Sequence, residues 1–428
     1  MIKYVLDKIH GNIKLYPEAI QIIDTCEFQR LRKIKQLGNA HYVFPGATHT
    51  RFEHSIGVYH LSGLLIENIK NNQPELGIDD RQVLLIKLAG LCHDLGHGCF
   101  SHLFDNYFLS TIIKDPEKEK FNHHEYRSEF LFKHIINKYQ LPLGNEEVDF
   151  ICNLINPEVN RTIQLKQPEF MYEIVANCKS GLDCDKIDYL IRDTISVGIA
   201  SSFNYDKMFK CAHVIDDTIC YPEDEALNIY QLFHLRFVMH KKVYQHSLIK
   251  QIDYMILDIL ININAELHMD ENIDNVDKFI TYTDNILDII KYISENETVL
   301  TLLQRLDSRQ LYRCIYESVG STSAPDLKIS EFMVFITELG IVNEIIIDNS
   351  AVNFSKKNKN PVNEIYFYNP CKSDSKFKIK KKDVSLILPT VFQELVTRII
   401  LKNNREIIYE GKETTYSQLC IDFLTKNA

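Results

Sequence analysis

The sequence has no tryptophan, no apolar run near the roughly 20 residues that a membrane-spanning helix needs, and no surplus of positive charge. The missing tryptophan, beside abundant Ile, Lys and Asn, reads as coding bias without functional meaning. The missing apolar run argues against a helical membrane span. A net charge of -10 excludes a general nucleic-acid binder, because phosphate contacts need clustered Lys and Arg. A local basic pocket for a small polyanion remains compatible with it. The eleven cysteines lack paired-knuckle spacing, and no charged-then-apolar leader precedes Tyr4. Reduced thiols in an intracellular protein, and no zinc finger, are therefore expected. No internal repeat or long low-complexity tract occurs. At 428 residues the chain is too long for one compact core, and 45% apolar content can support two or three lobes.

What is present is a stretch from Leu91 to Asp105 in which imidazoles and carboxylates recur between glycines and apolar residues. Neutral imidazole and ionised carboxylate are the ligands a divalent ion takes, and the apolar run Val83 to Leu91 offers a buried helix to carry His93 and Asp94. Gly96 and Gly98 are expected to end that helix, letting His97, His102 and Asp105 face the same cavity from a second direction. A His-Asp pair alone is weak, since a histidine near a helix end is often a capping or dipole partner. Matching donors elsewhere strengthen it: His54 before, Asp185 after.

Taken in order, an extended Met1 to Asp7 precedes a turn at His10 to Asn12. Helical spacing follows over Tyr16 to Leu37, with a break near Asp24 and a polar face holding Gln29 and Arg32. A helix from Arg51 to about Ile69 puts Arg51 and His54 on one face. Asp79 to Arg81 starts the next helix, and Asn122 is a candidate cap for one carrying His123 and His124. Around Asp183 to Asp193, Asp185, Tyr189 and Arg192 share a face. From Glu223 to about Ala265 a single long helix is expected, lining up Arg236, His240 and Tyr244; such a stripe is more often packing than a ligand wall. Short helices run to Gly320, among them Ser308 to Tyr316, with a polar joint at Ser321 to Pro325. Strands are expected at 343–347 and 364–368, and helices at 391–400 and 416–424. The Lys376 to Lys382 cluster fits a solvated edge or a phosphate contact equally.

The order His54, His93-Asp94, Asp185 resembles the H…HD…D signature of the HD-domain phosphohydrolases. The runs Asp24 to Arg32, Lys35 to Gly38, Tyr42 to Ala47, Arg51 to Ser55, Gly90 to Gly98, Asp185 to Tyr189 and Val243 to His246 narrow it further. They resemble the vertebrate SAM-and-HD-domain deoxynucleoside triphosphate triphosphohydrolases over about Lys3 to Leu260, with weaker similarity, including Lys359 to Pro361 and Leu386 to Pro389, to about Asn403. The chain starts almost at the HD region, so the resemblance implies a member without the SAM domain. It implies a mostly α fold: an HD catalytic domain over 1–265 with an N-terminal activator segment, a helical connection over 266–325, and a smaller mixed α+β lobe over 326–428.

The resemblance also implies a reaction, hydrolysis of a dNTP to deoxynucleoside and triphosphate. His54, His93, Asp94 and Asp185 would hold a divalent Fe, Mn, Ni or Zn, with Mg possible on the nucleotide. His97, His102, Asp105 and His124 would serve the attacking water and the leaving O5′. Arg51 and Lys186 would bind phosphates; Tyr189 and Asp193 would contact the sugar; Gln36 and Leu37 would crowd out a 2′-hydroxyl. Arg236, His240, Tyr244 and Gln245 would border base and sugar. A GTP or dGTP activator would sit on Lys3, Tyr4, Asp24, Gln29 and Arg32, with Arg309 and Arg313 from another subunit of a dimer or tetramer. A second activator site matches at Val43, Phe44 and Asn228, with Lys207 in place of an Arg. It has Pro222, Asp224 and Ser247 where basic residues are expected, so altered activation is expected. The alternatives are an HD-type phosphodiesterase or nuclease on nucleic-acid ends, and a catalytically silent nucleotide sensor.

Overall fold

The structure, a computed structural model, describes residues 1–157, 167–320 and 327–426. The fold is mostly α, with strands gathered towards the C-terminus. An antiparallel hairpin, Lys3–Asp7 with Gly11–Leu15, opens the chain and turns at Gly11, whose φ of +68° suits glycine. Helix Arg51–Asn72 packs along helix Asp80–Cys92 and under helix Cys184–Val197. Their starts follow from the sequence. Thr50 and Glu53 form a capping box, and the Asp79 and Asp183 carboxylates accept from the backbone N–H of Gln82 and Lys186. One apolar core runs from Ile13 to Ile400 and surrounds these helices.

Strands Arg313–Gly320, Gln393–Leu401 and Ile345–Asn353 make a three-stranded antiparallel sheet with Gln393–Leu401 in the centre. Helices Leu327–Glu338 and Tyr416–Lys426 close a second core on it around Phe332, Ile336, Ile399 and Leu424. A four-stranded sheet draws from both halves of the chain, because Thr218–Pro222 pairs in parallel with Tyr366–Asn369. Among the described residues no helix is long and apolar enough to cross a membrane.

Several local expectations are corrected. The His93 helix ends at Cys92, ahead of both glycines; a Cβ at Gly96 would strike the backbone of His124 and Ser128, so that glycine serves close packing. The helix after Phe121 starts at His124, one residue beyond an extended His123, and Asn122 does not cap it. The long helix is two, Ala226–Met239 and Ser247–Leu267, joined by a π-helical turn at His240–Tyr244. Ser308–Tyr316 is not helical: a helix ends at Asp307, Arg309 takes a left-handed φ of 61° and strand Arg313–Gly320 follows. The 391–400 segment is the central strand Gln393–Leu401. The joint at Ser321 to Pro325 lies outside the described residues.

Candidate functional site

Three helices meet where their ends are polar. His54 comes from the first turn of Arg51–Asn72, His93 from the end of Asp80–Cys92, and Asp185 from the first turn of Cys184–Val197. His54 Nε2 lies 3.0 Å from Asp185 Oδ1 and 3.6 Å from Asp94 Oδ2; His93 Nε2 lies 3.3 Å from Asp185 Oδ1 and 3.4 Å from Asp94 Oδ1. The other ring nitrogens are already engaged. His54 Nδ1–H donates to Asp188 Oδ2 at 2.8 Å, and His93 Nδ1–H donates to the Gly90 carbonyl at 2.9 Å. Both Nε2 lone pairs are thereby aimed at the carboxylates, and His93 Nε2 is buried without a hydrogen-bond partner. Two imidazole lone pairs and two carboxylates converging this closely are complementary to a cation, and the mixed neutral-nitrogen, anionic-oxygen set suits a divalent first-row ion. The same field acts on a proton: burial opposes charge on His54, but Asp185 and Asp188 lift it to about 10.

Next to this cluster lies a second. His97 and His124 stack at 3.9 Å between ring centroids, with His102 5.2 Å from His97. Asp105 Oδ2 sits 3.3 Å from His97 Nδ1 and 3.2 Å from His124 Nδ1, out of line for a hydrogen bond with either, while its Oδ1 accepts from Arg127. His97 Nε2 is 3.3 Å from Asp94 Oδ1, which joins the two clusters. Their imidazoles are driven apart in acidity. His102, though exposed at the cavity mouth, is lowered by the crowding around its ring and then by His97 and Arg51; burial favours the neutral form of His97, with Arg51 and His124 adding to it. On His124 burial acts in the same direction, but Glu125 and Asp105 outweigh it and raise the group. This arrangement can hold a proton on one imidazole while others stay neutral.

Asp185 of the first cluster and His102 and His124 of the second line a cavity of about 510 Å³. All ten residues expected to contact substrate line it: Gln36, Leu37, Arg51, Lys186, Tyr189, Asp193, Arg236, His240, Tyr244 and Gln245. Arg51 is held by Asp94, at 2.5 Å, and Ser101, at 2.9 Å. Lys186 reaches back to Asp183 at 3.3 Å; burial opposes its charge, yet Asp183 and Tyr189 keep it protonated above the usual lysine range. Arg236 is anchored on the Asn353 carbonyl at 2.5 Å. Asp193 is oriented from both sides, by His49 Nε2 at 2.6 Å and Tyr244 Oη at 2.7 Å. His240 is kept neutral by burial and then by Arg236.

Sequence reasoning missed His49, Asp188, Lys250 and Asp253 as site residues. Lys250 and Asp253 line the cavity, with Lys250 Nζ 3.2 Å from Tyr107 Oη. A lysine on the apolar face of Ser247–Leu267, beside Ile249 and Ile252, was the one available signal.

The residues expected at the guanine-nucleotide site fall in two groups. On the surface, Lys3 pairs with Asp24 at 3.6 Å, and Arg32 Nε donates to Gln29 Oε1 at 2.8 Å with its guanidinium over the Phe52 ring; Tyr4 is exposed in the adjoining strand. Arg309 lies elsewhere, donating to the Tyr42 carbonyl at 3.2 Å, and Arg313 is exposed on its strand. At the second site Lys207 is paired with Asp224, and Asn228 is occupied by Asn204 and Glu225. Phe44 packs edge-on against His246.

The HD domain model matches residues 51–193. A Dictyostelium discoideum protein described as a deoxynucleoside triphosphate triphosphohydrolase SAMHD1 homolog is 35% identical over 423 residues, covering 97% of this chain and 80% of its own length. The Homo sapiens deoxynucleoside triphosphate triphosphohydrolase SAMHD1 is 33% identical, covering 98% of this chain and 74% of its own. An HD domain-containing protein of Acanthamoeba polyphaga mimivirus is 35% identical over 93% of this chain and 92% of its own.

Proposed function

Because this chain belongs to the SAMHD1 family of HD-domain deoxynucleoside triphosphate triphosphohydrolases, we propose that it hydrolyses dNTPs to deoxynucleoside and inorganic triphosphate. The observation that carries this reading is a cavity where Asp185, packed against the His54, His93 and Asp94 cluster, meets His102 and His124 of the imidazole cluster, the cations Arg51 and Lys186, and the Asp193–Tyr244 pair. His54, His93, Asp94 and Asp185 would hold the ion. A divalent ion there supplies Lewis-acid polarisation of a phosphoryl oxygen. The chain's own groups do the rest. Arg51 and Lys186 bind the triphosphate and neutralise charge that grows on it, while Arg236 borders base and sugar. Asp193, fixed by His49 and Tyr244, accepts from the sugar 3′-hydroxyl, while Gln36 and Leu37 close the space a 2′-hydroxyl would need. Neutral His97 and His102 are suited to take the proton of the attacking water. His124, whose protonated form Glu125 and Asp105 favour, is suited to return one to O5′ as its bond to the α-phosphorus breaks.

The surface cluster at Lys3, Tyr4, Asp24, Gln29 and Arg32 would take GTP or dGTP, the Asp24 carboxylate accepting from guanine N1 and N2. Arg309 and Arg313 would complete it from a neighbouring subunit of a homo-oligomer. Incubating the protein with Mn or Fe, GTP and dNTPs tests the reading. Deoxynucleoside plus triphosphate is expected, and monophosphate plus pyrophosphate would overturn the assigned cut.

A further inference from the structure

Asp188 uses all four of its acceptor positions. Its Oδ2 accepts from His54 Nδ1 at 2.8 Å and Arg192 Nε at 2.9 Å; its Oδ1 accepts from His10 Nε2 at 2.6 Å and Arg192 Nη2 at 3.0 Å. His10 belongs to the turn of the N-terminal hairpin, yet its side chain is fully buried, with Tyr205 Oη 3.2 Å from Nδ1. The turn itself is held by Asp7, whose Oδ1 accepts from the backbone of Ile9 and His10 at 2.8 and 2.9 Å and whose Oδ2 meets Arg192 Nη1 at 2.8 Å. Gly57 admits this arrangement, since a Cβ there would lie on Asp188 Oδ1.

We propose that His10 is a positioning residue for the metal donor His54, acting through Asp188, so that its bond to that carboxylate, rather than the packing of the hairpin as a whole, sets the affinity of the metal centre. The proposal rests on the reading of His54, His93, Asp94 and Asp185 as metal donors. The carboxylate that orients His54 has one edge fixed by His10. Without it, the Arg192 fork alone holds the carboxylate against His54, and the direction of the His54 ring is less tightly set. Outer partners of this kind typically change metal affinity by about 10- to 100-fold.

The test measures Mn(II) affinity of the whole chain by chelator competition, beside its unfolding midpoint, with no nucleotide present. His10→Phe is expected to weaken Mn(II) binding by about 10- to 100-fold. His10→Gln can still donate to Asp188 and should stay close to the unaltered chain. Ile13→Ala loosens the same hairpin without touching Asp188 and should lower stability while leaving metal affinity in place. If His10→Phe does not fold, Tyr205→Phe, which removes only the hydroxyl at His10 Nδ1, carries the test with a smaller loss in the same direction. Unchanged affinity in His10→Phe, or in Tyr205→Phe where that variant must stand in, overturns the proposal, as does an equal loss in Ile13→Ala. No Mn(II) or Fe(II) binding by the unaltered chain overturns the metal reading itself, and this inference with it.

Discussion

His124 and Glu125 stand 3.5 Å apart at the cavity wall, and the carboxylate is the first neighbour that raises the imidazole against the pull of burial. A histidine with a raised folded-state pKa keeps its proton at lower pH and loses it as pH climbs through that value. If His124 protonates O5′, kcat falls on the alkaline side. Glu125→Gln removes the first raising charge, so the alkaline limb of the kcat profile should move to lower pH; an unmoved limb assigns the acid elsewhere. Replacing His124 by Ala should cost roughly 100- to 10,000-fold in kcat, the usual range for a lost general acid. Asp94→Asn should abolish turnover and metal binding together. Asp94 was legible because the order of His and Asp donors marked it, and His124 because the family resemblance implied it; Glu125 was not. His10 and His49 were not, because their chemistry comes from partners 178 and 144 positions away, Asp188 and Asp193.

Elements differ in how far local sequence determines them. Helix Cys184–Val197 was legible in most of its site residues: Asp183 caps it, and Asp185, Lys186, Tyr189 and Asp193 line the cavity from one rigid support, while Asp188, paired with Arg192, holds His54. The break between Ala226–Met239 and Ser247–Leu267 was not, because no Pro or Gly marks it. Its stabilisation is tertiary. Arg398, from the central strand Gln393–Leu401, donates to the Gln245 carbonyl at 2.8 Å and also meets Glu317 at 2.6 Å and the buried Asp348 at 3.3 Å. That strand was read as a helix for a related reason. In the middle of a sheet its Ile399 faces one core and its Ile400 the other, so both faces are apolar and the period of two disappears. Arg398→Met leaves Asp348 without its cation and should cost about 3–5 kcal/mol in denaturant unfolding. Because Gln245 lines the cavity, KM for dNTP should rise in the same variant. Lost stability with KM unchanged would mean that Gln245 keeps its place without the strand.

At the scale of the whole molecule, the two activator sites are unequally equipped. The guanine-type cluster keeps Lys3, Asp24, Gln29 and Arg32 exposed or half-buried, while its two further arginines, Arg309 and Arg313, make no contact with it among the described residues. If Arg309 and Arg313 serve the proposed guanine site, a second copy of the chain must bring them. The other site has an acid where a triphosphate needs a cation. Asp224 occupies Lys207, the cation that stands in place of an arginine, and both are exposed, so the pair is weak in itself but still places negative charge in the path of an anion. Assembly should then need the guanine nucleotide alone. Light scattering with GTP and no dNTP should show a rise in mass, and Arg313→Glu should suppress that rise while leaving Mn(II) affinity unaltered. Strict dependence of the mass on a non-hydrolysable dNTP would show that the second site works despite Asp224, and Asp224→Lys would then tighten the nucleotide there.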